Sequence, residues 1–287
     1  MRKTSILLCA YNAEAYIAEA VGSTLAQTYH DFELIIVDDG STDGTLGIIR
    51  SFDDERIRVI EGRHDYIGSL NIGLKHCRGQ YIARMDADDI MEPGRIEAQV
   101  ALMDTRPDIA VCTSWAQAFG QVERTIGNYV EGDVEDISTL FLMGNILIHP
   151  TSMIRRRFLT RHRLCYKAYP YAEDFKLWTD IARLGGRFHV IPHPLLRYRV
   201  TPGQATNAHR EEQNATRLLI QQEVIEEKLR HVPASQKQVA GKLYRQLLLA
   251  HEAGLLAADA VIGVMYGVFR NLDKHLQQDP AEGWVKH

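Results

Sequence analysis

The stretch Tyr81-Ile82-Ala83-Arg84-Met85-Asp86-Ala87-Asp88-Asp89 is a mainly apolar run that ends on three carboxylates within four residues. The run reads as a buried strand. A strand that delivers acids at its carboxyl end is where open α/β sheets place their ligand sites. Carboxylates two apart on extended backbone point to the same side of the chain. Such a pair suits a hard divalent cation that also takes phosphate oxygens. A solvated acidic turn would look the same locally, so the decision rests on what surrounds it.

Upstream, Ser5 to Ala10 and Phe32 to Val37 are short apolar runs with the length of buried strands, and Ile57 to Ile60 is a third. Between them, Ala13 to Gln27 places Tyr16, Ile17, Ala20, Val21 and Leu25 at helical spacing. Further helices are predicted from Thr45 to about Ser51 and over Ile67 to Cys77. Strand and helix thus alternate four times up to the acids, which predicts a parallel sheet with helices on both faces. Right-handed crossovers put all the strand carboxyl ends on one edge. The loops at Tyr11-Asn12, Asp38-Asp39 and Asp86 to Asp89 all follow strands, so they are expected to share one crevice. Scattered solvated acids would not favour the same end of three strands.

Downstream, a helix is predicted after Pro93, a strand over Ile109 to Ala118 with a hairpin partner near Gln121 to Ile126, and a helix over Asp136 to Met143. The segment from His149 to Arg156 reads as a short strand and turn, Glu173 to Ala182 as an amphipathic helix, and Val190-Ile191 and Leu195 to Val200 as closing strands. From Ala208 the pattern becomes wholly helical, with helices expected over Asn214 to His231, Gln236 to Ala253 and Asp259 to Gln277. The expected organisation is a catalytic domain over 1–207 and a helical region over 208–287.

The totals agree with a soluble globular chain of 287 residues, 45% hydrophobic and 24% charged. A net charge of −4 gives no general nucleic-acid binder. No secretory leader is read at the N-terminus, and no apolar stretch approaches the ~20 residues of a membrane span. Cys9, Cys77, Cys112 and Cys165 lack metal-ligand spacing and read as the reduced thiols of a cytoplasmic protein.

Several side chains carry chemistry. Asp39 can accept from a base N–H or a ribose hydroxyl, while Ser41, Thr42 and Asp43 equally suit helix capping. Neither a P-loop nor a G-x-G-x-x-G is present. Glu173-Asp174 opens a helix, where a carboxylate can cap or, at a crevice rim, serve as a general base. His149, His189 and His193 could serve as metal ligands, although a lone histidine is more often packed or solvated. Arg155-Arg156-Arg157 offers an anion-binding cluster or solvated charge.

Ala10-Tyr11-Asn12-Ala13-Glu14, Val37 to Thr45, Asn71-Ile72-Gly73-Leu74, Tyr81 to Asp89 and Tyr171-Ala172-Glu173-Asp174 occur in that order. Over about residues 4–205 the chain resembles the family 2, GT-A-fold, inverting glycosyltransferases. The resemblance implies a Rossmann-like, mostly parallel twisted α/β sheet with flanking helices, a UDP-sugar donor, and Mn²⁺ or Mg²⁺. It makes Asp88 the direct metal ligand and Asp86 a ribose or metal contact. Asp39 would read the base, with Ala10, Tyr11 and Asn12 beside it, and Asn71, Arg84 and Arg199 would lie on the nucleotide-sugar side. Asp174 would be the catalytic base, and Glu173 would support it or contact the acceptor. The strings Ser69 to Leu74, Ala83-Arg84, Ile148-His149 and Ala172-Glu173-Asp174 through Trp178 are most similar to bacterial lipooligosaccharide β-1,3-N-acetylglucosaminyl- and N-acetylgalactosaminyltransferases, which extend a glycan. Thr201 replaces a histidine of many such relatives, leaving Arg199 and Gln204 for the diphosphate, and Pro150 replaces a polar residue.

The resulting expectation is a metal-dependent hexosyltransferase acting on a cell-surface glycan or glycolipid. The alternative is a sugar-nucleotide-binding or assembly subunit without activity, although every acid is present. A nucleotidyltransferase would need a glycine-rich basic triphosphate loop, which Tyr11-Asn12-Ala13-Glu14 is not. The C-terminal helices, with Leu243, Leu247, Leu248 and Leu255 beside Lys237, Lys242, Arg245, Arg270 and Lys274, read as a lid, a homodimer surface, or a peripheral contact with the inner face of the bacterial inner membrane.

Overall fold

A computed structural model of the chain describes residues 2–201 and 209–277. Its central strand, β1 (Thr4–Ala10), is buried along its whole length. Ile6, Leu8 and Ala10 enter one apolar cluster, and Leu7 and Cys9 enter another on the opposite face. That period-two alternation between two covered faces is why the run is apolar throughout rather than alternating with polar residues. On the first face lie α1 (Ile17–Leu25), α2 (Thr45–Arg50) and α4 (Arg95–Thr105), which contribute Ile17, Ala20, Val21, Ile49, Ile96, Val100 and Met103. The other face takes Leu70 from α3 (Tyr66–His76) and Phe175, Leu177, Trp178 and Ile181 from α7 (Glu173–Arg183).

The strands β2 (Phe32–Asp38), β3 (Ile57–Glu61) and β4 (Tyr81–Asp86) join β1 in the parallel order β3-β2-β1-β4. The register aligns Ala10 with Asp38 and Cys9 with Asp86, so the three strand ends lie side by side. The sheet then continues β9-β6-β10-β5, where β5 is Ile90–Met91, β6 is Ile109–Gly120, β9 is Met153–Arg155 and β10 is Arg187–Val200. Strand β9 is antiparallel to both β4 and β6, whereas β6 and β10 are parallel. Two short strands, β7 (Arg124–Ile126) and β8 (Gly132–Val134), pair antiparallel with β6 and β10. This is the mixed, mostly parallel sheet with flanking helices expected from the sequence.

Four local readings change. The segment at His149–Thr151 is a 3₁₀ turn, and the strand follows it rather than beginning there. A helix not predicted from the sequence, α6 (Arg156–His162), then begins on the arginine run. The two closing strands are one strand, with register shifts around Pro194, where Pro192 and Pro194 lack a ladder donor. The helix expected over Asp136 to Met143 is a short α5 (Ile137–Leu140) tightened into a 3₁₀ turn, Phe141–Met143.

The C-terminal helices are α8 (Arg210–Lys228), α9 (Ala234–Glu252) and α10 (Ala258–Gln277). They form a third cluster with Val224, Ile225, Leu229, Tyr244, Leu248, Met265 and Phe269, which also takes in Leu142. The expected boundary at 207/208 and Gln204 lie outside the described residues.

Gly79, between α3 and β4, lies against the start of β1. A Cβ there would stand 2.5 Å from Ser5 N and 2.7 Å from Thr4 C, both backbone atoms of a fully buried strand. Gly79→Ala is expected to destabilise the fold by about 2 kcal/mol, read as a lower urea midpoint. An unchanged midpoint would contradict this packing.

Candidate functional site

The turn after β1 is laced to the turn after β2. Asn12, in a left-handed conformation (φ 47°), donates its N–H to Ser41 Oγ at 3.0 Å and accepts from Thr42 N–H at 2.8 Å. Ala13 N–H reaches Thr45 Oγ1 at 2.7 Å, and Glu14 accepts from Gly44 N–H at 2.7 Å. Asp43 accepts from the Thr45 N–H at the start of α2, which agrees with the capping expected of it. Asp39 is buried. Its Oδ1 accepts from Ser69 Oγ at 2.7 Å and from Asp65 N–H at 2.9 Å. The same carboxylate keeps Oδ2 for another donor. Tyr11, 44% exposed, lies with its ring centroid 4.4 Å from that of His64.

The acids after β4 fall into different environments. Asp86 accepts from Arg84 at 2.7 Å. Asp88 is pushed up to about 6, first by burial and then by the charge of Asp86. Asp89 is buried. Its Oδ1 accepts the Arg199 N–H at 2.8 Å, Oδ2 has no partner, and burial with the charges of Asp86 and Asp88 raises its pKa well above the carboxylate range. Arg199 donates from Nε to Asp88 O at 2.7 Å, and its guanidinium lies over the rings of Tyr16 and Phe119. Arg199 therefore clamps the acid turn from β10.

The second acidic pair opens α7. Asp174 Oδ1 accepts the Phe175 N–H at 2.6 Å and Oδ2 accepts from Asn145 Nδ2 at 2.7 Å. Burial raises Asp174, these donors oppose the rise, and the charge of Asp86 adds to it. Glu173 is also raised, by burial first and by Asp174 next. The phenol of Tyr198 on β10 is raised by burial and then by Asp86, Asp89, Asp88 and Asp174. The acids after β4 and those opening α7 therefore lie within electrostatic reach of one another.

Two expected nucleotide contacts are engaged by the protein itself. Arg84 is fully buried and donates to Leu7 O at 2.8 Å, Met85 O at 2.6 Å and Asp86, so it presents no surface to a ligand. Asn71 holds the backbone of Tyr166 with both ends of its amide, at 2.8 and 2.9 Å. His149 is buried against Trp178, with Nε2 2.8 Å from Tyr166 Oη, and burial followed by the charge of Arg84 lowers its pKa well below the ordinary value. It is a packed histidine, as read. His189 pairs with Asp133 at 2.7 Å. Arg155 lies at the far end of β4, opposite Tyr81, and its guanidinium is bound to the carbonyls of Met103, Arg106 and Ile109. The arginine cluster is thus at the sheet edge opposite the acids.

Among the described residues no three His, Cys, Asp or Glu side chains converge as a metal cage. The donor set at Asp86 and Asp88 still fits a hard cation. Two carboxylates crowd where burial already opposes charge on Asp88, and a divalent ion bound partly by substrate phosphates needs only one or two protein carboxylates. Asn145 was not singled out from the sequence. In the string Met143-Gly144-Asn145 it reads as an ordinary turn residue.

Residues 5–163 match the family model "Glycosyl transferase family 2". An uncharacterized glycosyltransferase of Haemophilus influenzae is 37% identical over 235 residues, covering 77% of this chain and 72% of the relative. The Escherichia coli UDP-Glc:alpha-D-GlcNAc-diphosphoundecaprenol beta-1,3-glucosyltransferase is 31% identical over 189 residues, covering 64% and 72%. In fold, the chain is similar to Staphylococcus aureus TarS 1–349 in complex with UDP-GlcNAc, with a TM-score of 0.67 at 20% identity over 82% of this chain and 69% of that one. It is also similar to a Pyrobaculum calidifontis mannosyltransferase in complex with GDP-Man and Mn²⁺, with a TM-score of 0.56 at 18% identity over 98% and 77%. The chain belongs to glycosyl transferase family 2, has a GT-A-like fold, and is an enzyme of the hexosyltransferase type.

Because burial opposes ionisation of Glu173, the fold favours its protonated form. Stability from this source is fully present below the ordinary carboxylate range and is lost as pH rises through the raised value. Glu173→Gln is therefore expected to raise unfolding stability at pH 8 by on the order of 1 kcal/mol. The gain should shrink towards pH 4, as measured by denaturant titration at both pH values.

Proposed function

We propose that this glycosyltransferase moves a sugar, GlcNAc or GalNAc, from a UDP-sugar to a hydroxyl of a cell-surface glycan acceptor such as lipooligosaccharide, with inversion and with Mn²⁺ or Mg²⁺. The observation that supports this reading is the alignment of the β1, β2 and β4 carboxyl ends at one edge of a parallel sheet, with the charge of Asp86 acting on Asp174. The UDP-GlcNAc complex of the similar structure and the UDP-glucose named for the E. coli relative support the donor class. The diphosphoundecaprenol in that relative's name supports an acceptor carried on a lipid.

In this reading the base lies against Tyr11 and the backbone of Ala10 and Asn12, and Asp39 Oδ2 accepts from its N–H. Asp86 and Asp88 would hold the divalent ion, which when bound would supply Lewis-acid stabilisation to the departing diphosphate. Arg199 keeps the turn that carries both acids in place. Asp174 takes the proton of the acceptor hydroxyl as that oxygen bonds to the anomeric carbon, and the bond from that carbon to the diphosphate oxygen breaks, releasing UDP. One displacement inverts the centre, so a single base suffices. Glu173, whose ionisation burial opposes, can donate to an acceptor oxygen in its protonated form.

Residues 1–207 form the catalytic part in this proposal, and the C-terminal helices support it. No helix among the described residues is long and apolar enough to cross a membrane. The exposed Val239, Leu249 and Leu255 beside Lys242 and Arg245 suit a peripheral contact at the cytoplasmic face of the inner membrane, or with a second copy.

Asp174→Asn is expected to lower the transfer kcat by about 10²–10⁴-fold while donor KM stays nearly constant. Asp88→Asn is expected to abolish the response of turnover to added Mn²⁺. Both are read by release of the corresponding nucleoside diphosphate (UDP, GDP or dTDP) in a screen of UDP, GDP and dTDP sugars. Full transfer by Asp174→Asn would remove the base assignment.

A further inference from the structure

Only one of the two donors on Asp174 belongs to its own helix. The other, Asn145 Nδ2, comes from the loop after the 3₁₀ turn Phe141–Met143. Asn145 Oδ1 accepts the Leu147 N–H at 3.2 Å, which fixes the amide with its NH₂ towards the carboxylate. The reversed amide would set two acceptors against each other. Gly144, with φ 118°, makes the turn that aims Asn145 at the crevice.

That turn is gripped by the C-terminal helices. Gln221 on α8, fully buried, donates to Leu142 O at 2.6 Å, and the buried Tyr244 on α9 donates to the same oxygen at 2.6 Å. Helix α8 also holds the opposite side of the site. Gln213 donates to Tyr171 O at 2.9 Å, and Glu223 accepts from Tyr169 Oη and from Lys176 Nζ, both at 2.6 Å. One helix therefore fixes both loops that meet at Asp174.

We propose that Asn145 is a positioning residue for the Asp174 carboxylate, and that the C-terminal helices act on transfer by holding Asn145 in place through Gln221 and Tyr244. This rests on Asp174 being the base. The bond orients one carboxylate oxygen, leaving the other lone pairs for the acceptor hydroxyl. A displacement of about 1 Å in a reacting group costs on the order of 10²-fold in rate. The simpler role, shaping the loop through Leu147, uses only the oxygen of Asn145, so the two roles can be separated.

The test uses the full chain and compares Asn145→Ala, Asn145→Asp, Tyr244→Phe and Asp174→Asn for transfer kcat, donor KM and the pH profile. Asn145 is exposed, so folding is not at stake in its variants. Asn145→Asp keeps an oxygen for Leu147 N–H but sets a carboxylate against Asp174. Both Asn145 variants are expected to lower kcat by about tenfold or more with donor KM within about twofold, the aspartate at least as severely as the alanine. The acid limb of the pH profile is expected to move to higher pH, because a donor to the ionised form is lost. The groups that bear on this limb are Glu173 on α7, Asp86 on β4, Tyr198 on β10, and Tyr166 and Arg84 beneath the site, with Arg217 of α8 lying over Gly144. Tyr244→Phe, remote from substrate, is expected to lower kcat severalfold at unchanged donor KM.

Wild-type kcat and pH profile in Asn145→Asp, with or without a loss in Asn145→Ala, would overturn the positioning role. Unchanged kcat in Tyr244→Phe would overturn the part assigned to the helices. Activity retained in Asp174→Asn marks failure of the base reading itself. An inactive Asp174→Asn beside unaffected Asn145 variants marks failure of this inference alone.

Discussion

A guanidinium with no exposure to water stands at the centre of this fold. Arg84 occupies a β4 position whose side chain enters the layer between the sheet and α3 and α7, where Leu7, Ile82 and Trp178 are packed. An unpaired charge there would cost several kcal/mol, so every neighbour is arranged around it. Two carbonyls and Asp86 take its protons, and Nε approaches His149 Nε2 at 3.3 Å. The ion pair fixes Asp86 at the end of its strand. His149 in turn meets Tyr166, whose backbone Asn71 holds. One buried charge thus ties the acid turn, the parallel strands and the loop before α7 into a single polar chain inside an apolar layer.

Although Asp86 is paired with Arg84, its charge still bears on the remaining acids. Burial and the charge of Asp86 raise both Asp88 and Asp89, and Asp86 also raises Glu173 and Asp174. A site built for stability would not gather them. Carboxylates whose pKa values are raised together by burial and mutual charge cluster at functional sites more often than at purely structural ones.

What could be read from the sequence follows the range of the forces involved. The β1–β4 half was legible because each strand and helix carries its own periodicity and the crossovers are short. The insertion of β9 between β4 and β6 was not, since a three-residue strand is defined by partners about seventy and forty residues away. Pro192 and Pro194 broke one strand into two readings, and the arginine run concealed α6 because its helix carries little apolar periodicity. The positions of Asp39, Asp86, Asp88 and Asp174 were legible as strand and helix ends. Arg84 looked like a ligand contact because a polar residue in a motif gives no sign of whether it faces solvent or the layer beneath the sheet edge. Asn145 had no signal at all, since its role depends on a partner twenty-nine residues away.

The C-terminal helices show the same dependence on distant partners. Their own apolar face, with Val224, Ile225, Leu248, Met265 and Phe269, would be open on one side, and Leu142 of the 3₁₀ turn fills it. Conversely Ile220 of α8 completes the layer under Phe141 and Phe175. The change of pattern near residue 208 is therefore a change of architecture across which packing is continuous. Because Leu142 gives its side chain to one cluster and its carbonyl to Gln221 and Tyr244, the loop it begins cannot move without opening the helical core. The loop that carries Asn145 to Asp174 is thus anchored at its start by two buried donors.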